Sequence, residues 1–137
     1  MAAGIQIAAN DFIDVTVNAE YALGKNKWKT ITFDARCARV SPEELEEAGN
    51  AVQGGQRGSI LAFCRKILIS TNGLKDFKGN SADVTERPDD DVTGPVSDAA
   101  HEEYSATLDA FMATLPLPID TVTAYLSNTT KKGTRKN

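Results

Sequence analysis

The stretch VSPEELEEAG (residues 40–49) divides the chain into two differently patterned parts. Ser41 has the chemistry of a helix N-cap. Pro42 suits the first helical position, where a missing N–H costs nothing, and Glu44, three residues after the serine, completes a capping box. Glu43, Glu44, Glu46 and Glu47 gather where the peptide dipoles leave positive charge, which favours carboxylates. Capping and solvation account for all four, so they are not read as an acid/base catalytic set.

Before this point the pattern is that of strands. FIDVTV (12–17) and KWKTITF (27–33) are β-branched and aromatic, and NAEYALGKN (18–26) between them offers Gly24 and Asn26 as turn residues. This predicts a hairpin that carries Trp28 and sets Ile31 and Phe33 on a shared side. Residues 1–11 read as a flexible lead-in. The opening MAAGIQIAANDF has no basic region of the kind that begins a secretory signal.

After it the pattern is helical. NAVQGGQRG (50–58) reads as a flexible connection, since no GK[ST] follows its glycines to make a phosphate loop. SILAFCRKILIST (59–71) places Ile60, Leu61, Phe63, Cys64, Ile67 and Leu68 at helical spacing, although β-branched residues crowd its end and leave a buried strand as the weaker alternative. NGLKDFKGN (72–80) is a turn-rich loop. ADVTERPDDDVTGP (82–95) is acidic and punctuated by Pro and Gly, so about residues 81–96 are expected to be solvated and mobile. Ser97-Asp98 is expected to cap a further helix, in which Tyr104, Leu108, Phe111 and Leu115 form one apolar stripe. After the PLP at 116–118, Ile119, Val122, Tyr125 and Leu126 mark a last short helix. The expected fold is α+β: an N-terminal β-hairpin packed on a small bundle of about four helices, in one domain over residues 1–128, with a flexible basic tail at 129–137.

Composition narrows the function. In 137 residues, 41% hydrophobic and 25% charged, no apolar run reaches the ~18 residues of a membrane span. The net charge is −4 and the basic residues are scattered, which argues against nucleic acid. Cys37 and Cys64 form no CxxC, and Cys64 reads as a buried reduced thiol in a cytoplasmic setting. His101 is the single histidine, which supports neither a metal site nor a triad. The acidic segment lacks the glycine and terminal glutamate of a calcium loop. No catalytic residue, metal ligand or cofactor site is identified.

Taken in order, the parts resemble the tail assembly chaperones of long-tailed bacteriophages. ARVSPEELEE (38–47) matches the family's "rls.ee" helix start, STNGLKDFKGN (70–80) answers its "W.gl.D.dG" segment, and AYLSNTTKKGTRKN (124–137) resembles its "Y…rKN" end. Thr71 or Asn72 stands where the family has tryptophan, and the acidic insert replaces a shorter passage. The resemblance implies a non-enzymatic protein of the host cytoplasm, absent from the finished virion. Such a protein binds the tape measure protein, keeps it soluble and helps bring tail tube subunits to it. The apolar faces expected to meet the partner comprise Tyr104, Leu108, Phe111, Val122, Tyr125 and Leu126, supported by Leu61 and Ile67. In the resembled family a minority of ribosomes slip near this end and fuse a second domain. The tail at Lys131, Lys132, Arg135 and Lys136 permits that junction, since ACA AAA AAG can encode residues 130–132 and CGA AAA AAC residues 135–137. The alternatives are a small acidic adaptor or inhibitor of a host protein, with Asp83 to Asp91 as bait, and a structural tail component.

Overall fold

The computed structural model describes residues 12–76, 78–89, 91–114 and 116–129. Strands β1 (Phe12–Gly24) and β2 (Lys27–Ala38) form the expected hairpin, antiparallel and in register from Phe12↔Ala38 to Ala22↔Trp28. The turn places Asn26 at φ 57°, in the left-handed region that asparagine tolerates better than most residues. Alternation sorts the two faces. Val15, Val17, Ala19, Ile31, Phe33, Ala35 and Cys37 are buried on one. The other is a polar ladder of cross-strand pairs. In it Arg36 Nε donates to Asp14 Oδ1 at 2.9 Å, Thr16 Oγ1 to Asp34 at 3.0 Å and Thr32 Oγ1 to Asn18 at 2.7 Å.

Helix α1 (Pro42–Gln53) begins as its sequence dictates. Ser41 Oγ accepts from the Glu44 N–H at 3.2 Å, and Glu44 Oε1 accepts from the Ser41 N–H at 3.1 Å. The stretch expected to be a flexible connection is instead a tight reversal. Gly55 sits at φ 65°, the Gln56 N–H reaches the Ala51 carbonyl at 2.9 Å, and helix α2 (Arg57–Ile67) starts at once.

Helix α2 ends about one turn before the apolar run that suggested it, because Leu68–Asn72 form strand β3. The minority reading of that run is therefore correct for its end, where β-branched Ile69 and Thr71 fit a pleated surface better than a helix. Strand β3 pairs antiparallel with β2 and turns the hairpin into a three-stranded sheet of order β1-β2-β3.

The expectation of a solvated, independent acidic segment is corrected over residues 82–87, which run along β3. The Thr71 N–H donates to the Val84 carbonyl at 3.1 Å and the Arg87 N–H to the Ile69 carbonyl at 2.9 Å. Val84 is only 1% exposed. Asp83 accepts from Thr71 Oγ1 at 3.0 Å and from the Leu74 N–H at 2.8 Å, so this acid fixes a turn. Counting charges concealed the one apolar residue that packs.

Helix α3 (Pro95–Ala113) starts earlier than predicted, with Gly94 at its N-cap. Ser97 lies inside the helix and its hydroxyl donates back to the Val92 carbonyl at 2.8 Å, so it holds the entry turn without capping. Helix α4 (Pro116–Thr129) carries two prolines in its first turn, where their missing N–H groups are tolerated. The fold is α+β, a three-stranded antiparallel sheet with four helices among the described residues. One apolar cluster joins the sheet's inner face to α2, α3, α4, Leu74 and Val84. Phe33 and Phe111 meet edge-to-face in it, ring centroids 6.0 Å apart.

Two substitutions test this packing. Phe111→Ala is expected to cost about 3–5 kcal/mol, because a buried ring leaves a cavity. Arg87→Ala removes charge-assisted bonds to carbonyls and should cost about 2 kcal/mol. Urea unfolding reads both, and a loss under ~0.5 kcal/mol for Arg87→Ala would show that residues 82–87 contribute nothing to the fold.

Candidate functional site

The residues expected to meet a partner are brought together, but inside the molecule. Tyr104, Leu108, Phe111, Val122 and Tyr125 are all buried, and Leu126 is half-buried. Of the supporting pair, Ile67 is buried and Leu61 half-buried. Tyr125 is 1% exposed. Its hydroxyl donates to the Ala38 carbonyl at 2.7 Å, tying α4 to the end of β2. A stripe at helical spacing says only that a face is covered, and here the sheet and α2 cover it. The folded chain therefore offers no open face at these positions. The junction residues Lys131, Lys132, Arg135 and Lys136 lie outside the described residues.

The open concavity is elsewhere, between α1 and α2. These helices run antiparallel, since Glu44 near the start of α1 ion-pairs with Lys66 near the end of α2. Small residues, Ala48 and Ala51 on α1 and Ser59 and Ala62 on α2, leave a groove of about 530 Å³ between them. Phe63 closes its floor and leans on Tyr125, ring centroids 5.8 Å apart. The rim is polar, with Glu47, Asn50 and Gln56. Glu43 and Glu47 stand one turn apart on the same helix face. No ion pair among the described residues reaches Glu43, Glu46 or Glu47. The groove can receive one or two apolar side chains of a partner, with negative charge at its edge. Sequence reading took part of its wall for a flexible connection; the run of alanines at helical spacing was the available signal.

A second exposed feature is the end of the hairpin. Every residue from Ala22 to Thr30 is exposed, on both faces of the ribbon, including Leu23 at 54% and Trp28 at 65%. Lys25, Lys27 and Lys29 flank them. Strand β3 begins to pair only at Asp34, so the tip extends past the third strand.

Several other polar groups hydrogen-bond within the fold. Asp83 is engaged as described, and Asp89 Oδ1 accepts from the Asp91 N–H at 2.9 Å. His101 Nδ1 lies 2.8 Å from the Ser97 carbonyl within its own helix. No group of three potential metal ligands occurs among the described residues. No helix among them is long and apolar enough to cross a membrane. Burial pushes the Cys37 thiol up to about 12, and pushes Cys64 up further.

No family model matches the chain, and no curated protein or solved structure shows significant similarity to it.

The two thiols are buried and held neutral, so a thiol-reactive dye at about pH 8 should label neither within minutes and both after denaturation. Rapid native labelling would contradict the packing around α2. The ladder has its own pH signature. Arg36, bonded to the Asp14 carboxylate, holds it below its ordinary 3.8. A depressed carboxylate contributes stability above its unfolded value and loses it as pH falls through the folded one. Asp14→Asn is therefore expected to be less stable than the parent at neutral pH, with the difference vanishing in acid. A pH series of urea midpoints checks it.

Proposed function

We propose that the chain is a non-enzymatic tail assembly chaperone of a long-tailed bacteriophage. It would act in the host cytoplasm by holding an apolar helical segment of the tape measure protein, with tail tube subunits as its second partner. The resemblance in the order of the sequence segments suggests the family, and the observation that carries the activity is the α1/α2 groove. An amphipathic helix laid into such a groove presents side chains at i and i+4, the spacing that a short apolar floor between two helices accepts. Burying one aliphatic side chain there yields about 1.5–3 kcal/mol. That is enough to shield a client helix and little enough to release it when tube subunits compete. Glu47 on the rim, with exposed Glu43 one turn away on the same helix, favours a client with basic residues beside its apolar stripe.

The test is co-expression with the tape measure protein of the same phage. The parent chain should keep that protein in the soluble fraction and co-purify with it. Ala62 is exposed and lines the groove, so Ala62→Arg obstructs it without entering the core. This variant is expected to weaken co-purification at least ten-fold while its stability moves by no more than about 0.5 kcal/mol. Undiminished binding by Ala62→Arg would place the client elsewhere, and no binding by the parent would remove the chaperone assignment.

A further inference from the structure

The exposed tip and the groove are complementary in the same chain. The tip offers an indole that is 65% exposed, with lysines at 25, 27 and 29 around it. The groove offers an apolar floor and a volume of about 530 Å³, edged by the Glu44–Lys66 pair and by Glu47, which forms no ion pair among the described residues, with exposed Glu43 one helical turn from Glu47. Tryptophan set in a ring of polar groups is the side chain most often found dominating an interface. Its indole N–H needs an acceptor once covered, and Glu47 and Asn50 on the rim supply one. Since residues 22–30 are exposed on both faces, the tip does not reach the groove of its own molecule.

We propose that the hairpin tip of one copy inserts Trp28 into the α1/α2 groove of a second copy, with Lys25 and Lys27 facing Glu43 and Glu47. Each copy then presents one free tip and one free groove, so the contact is head-to-tail and propagates into short chains or closes into rings. A surface made of nine ribbon residues and a narrow groove falls well below the area of a stable dimer, so the association is weak and reversible. Exposed lysine–glutamate pairs add steering more than affinity and respond to salt. A nucleic-acid ligand fits less well. Two or three lysines release few counterions, and a net charge of −4 repels phosphate. Self-association through the groove does not depend on which client the groove serves.

Trp28 is the single tryptophan of the chain, so its emission reports the contact directly. Raising the protein from about 10 µM to about 1 mM at low salt should shift the emission to the blue and increase the sedimentation coefficient, with reversal at about 0.5 M salt. Trp28→Ala retains a groove and loses the anchor; Ala62→Arg retains the anchor and loses the groove. Each alone is expected to sediment as a monomer over this range. Their mixture should form a one-to-one complex, and in it the Trp28 emission of the Ala62→Arg partner should move to the blue. A parent that stays monomeric at every concentration overturns the proposal. So does association that survives either substitution, or a mixture that fails to pair. An emission that responds to added oligodeoxynucleotide and not to protein concentration also overturns it and assigns the tip to nucleic acid.

Discussion

The structure depends on a change of direction between Ile67 and Leu68, where helix α2 becomes strand β3 with no residue between them. A helix that ends this abruptly leaves its last carbonyls without amide partners, and buried carbonyls left so would cost about as much as the helix gains. The Arg87 guanidinium answers the need. It donates to the Lys66 and Leu68 carbonyls, each at 2.8 Å, and to the Arg65 carbonyl at 3.3 Å. The Tyr104 hydroxyl donates to the Leu68 carbonyl and accepts from Arg87 Nε at 3.2 Å. A cation at a helix C-terminus also meets the negative end of the dipole. One side chain thus fastens α2, β3 and α3 together.

The rest of the acidic segment follows from that anchor. Once Arg87 is seated, residues 82–87 lie along the otherwise open edge of β3, Val84 enters the core and the acids beside it face water or their own turn. Covering an edge in this way removes a row of unpaired amides that could recruit another chain. The segment's charge and its structural role are compatible because alternate residues of an extended chain point to opposite sides.

Function is confined to what the core leaves over. The apolar stripes of α3 and α4 are needed to cover the sheet, whose inner face would otherwise be wet. The shorter pair α1 and α2 meets across alanines and leaves a groove, and the hairpin outruns the third strand and leaves a tip. Both are places where packing stops because the sequence supplies too few large side chains or no neighbouring element. They are also opposite in charge, an asymmetry hidden in a net charge of −4.

Local rules were enough for the hairpin, the capping box at Ser41 and Glu44, the thiol of Cys64 and the existence of four helices, because each rests on near neighbours in the chain or on one apolar period. They were also enough for the α+β class. They could not end α2 at Ile67, since Leu68 suits either element locally and pairing with β2 decides. They could not seat Arg87 or Val84, whose partners lie about twenty and thirteen residues away in sequence. They could not tell a covered stripe from a free one, so Tyr125 read as a contact until the sheet was set against it. Spacing along a chain fixes which residues share a face; only the packed structure decides which faces find a partner inside the molecule and which are left for one outside.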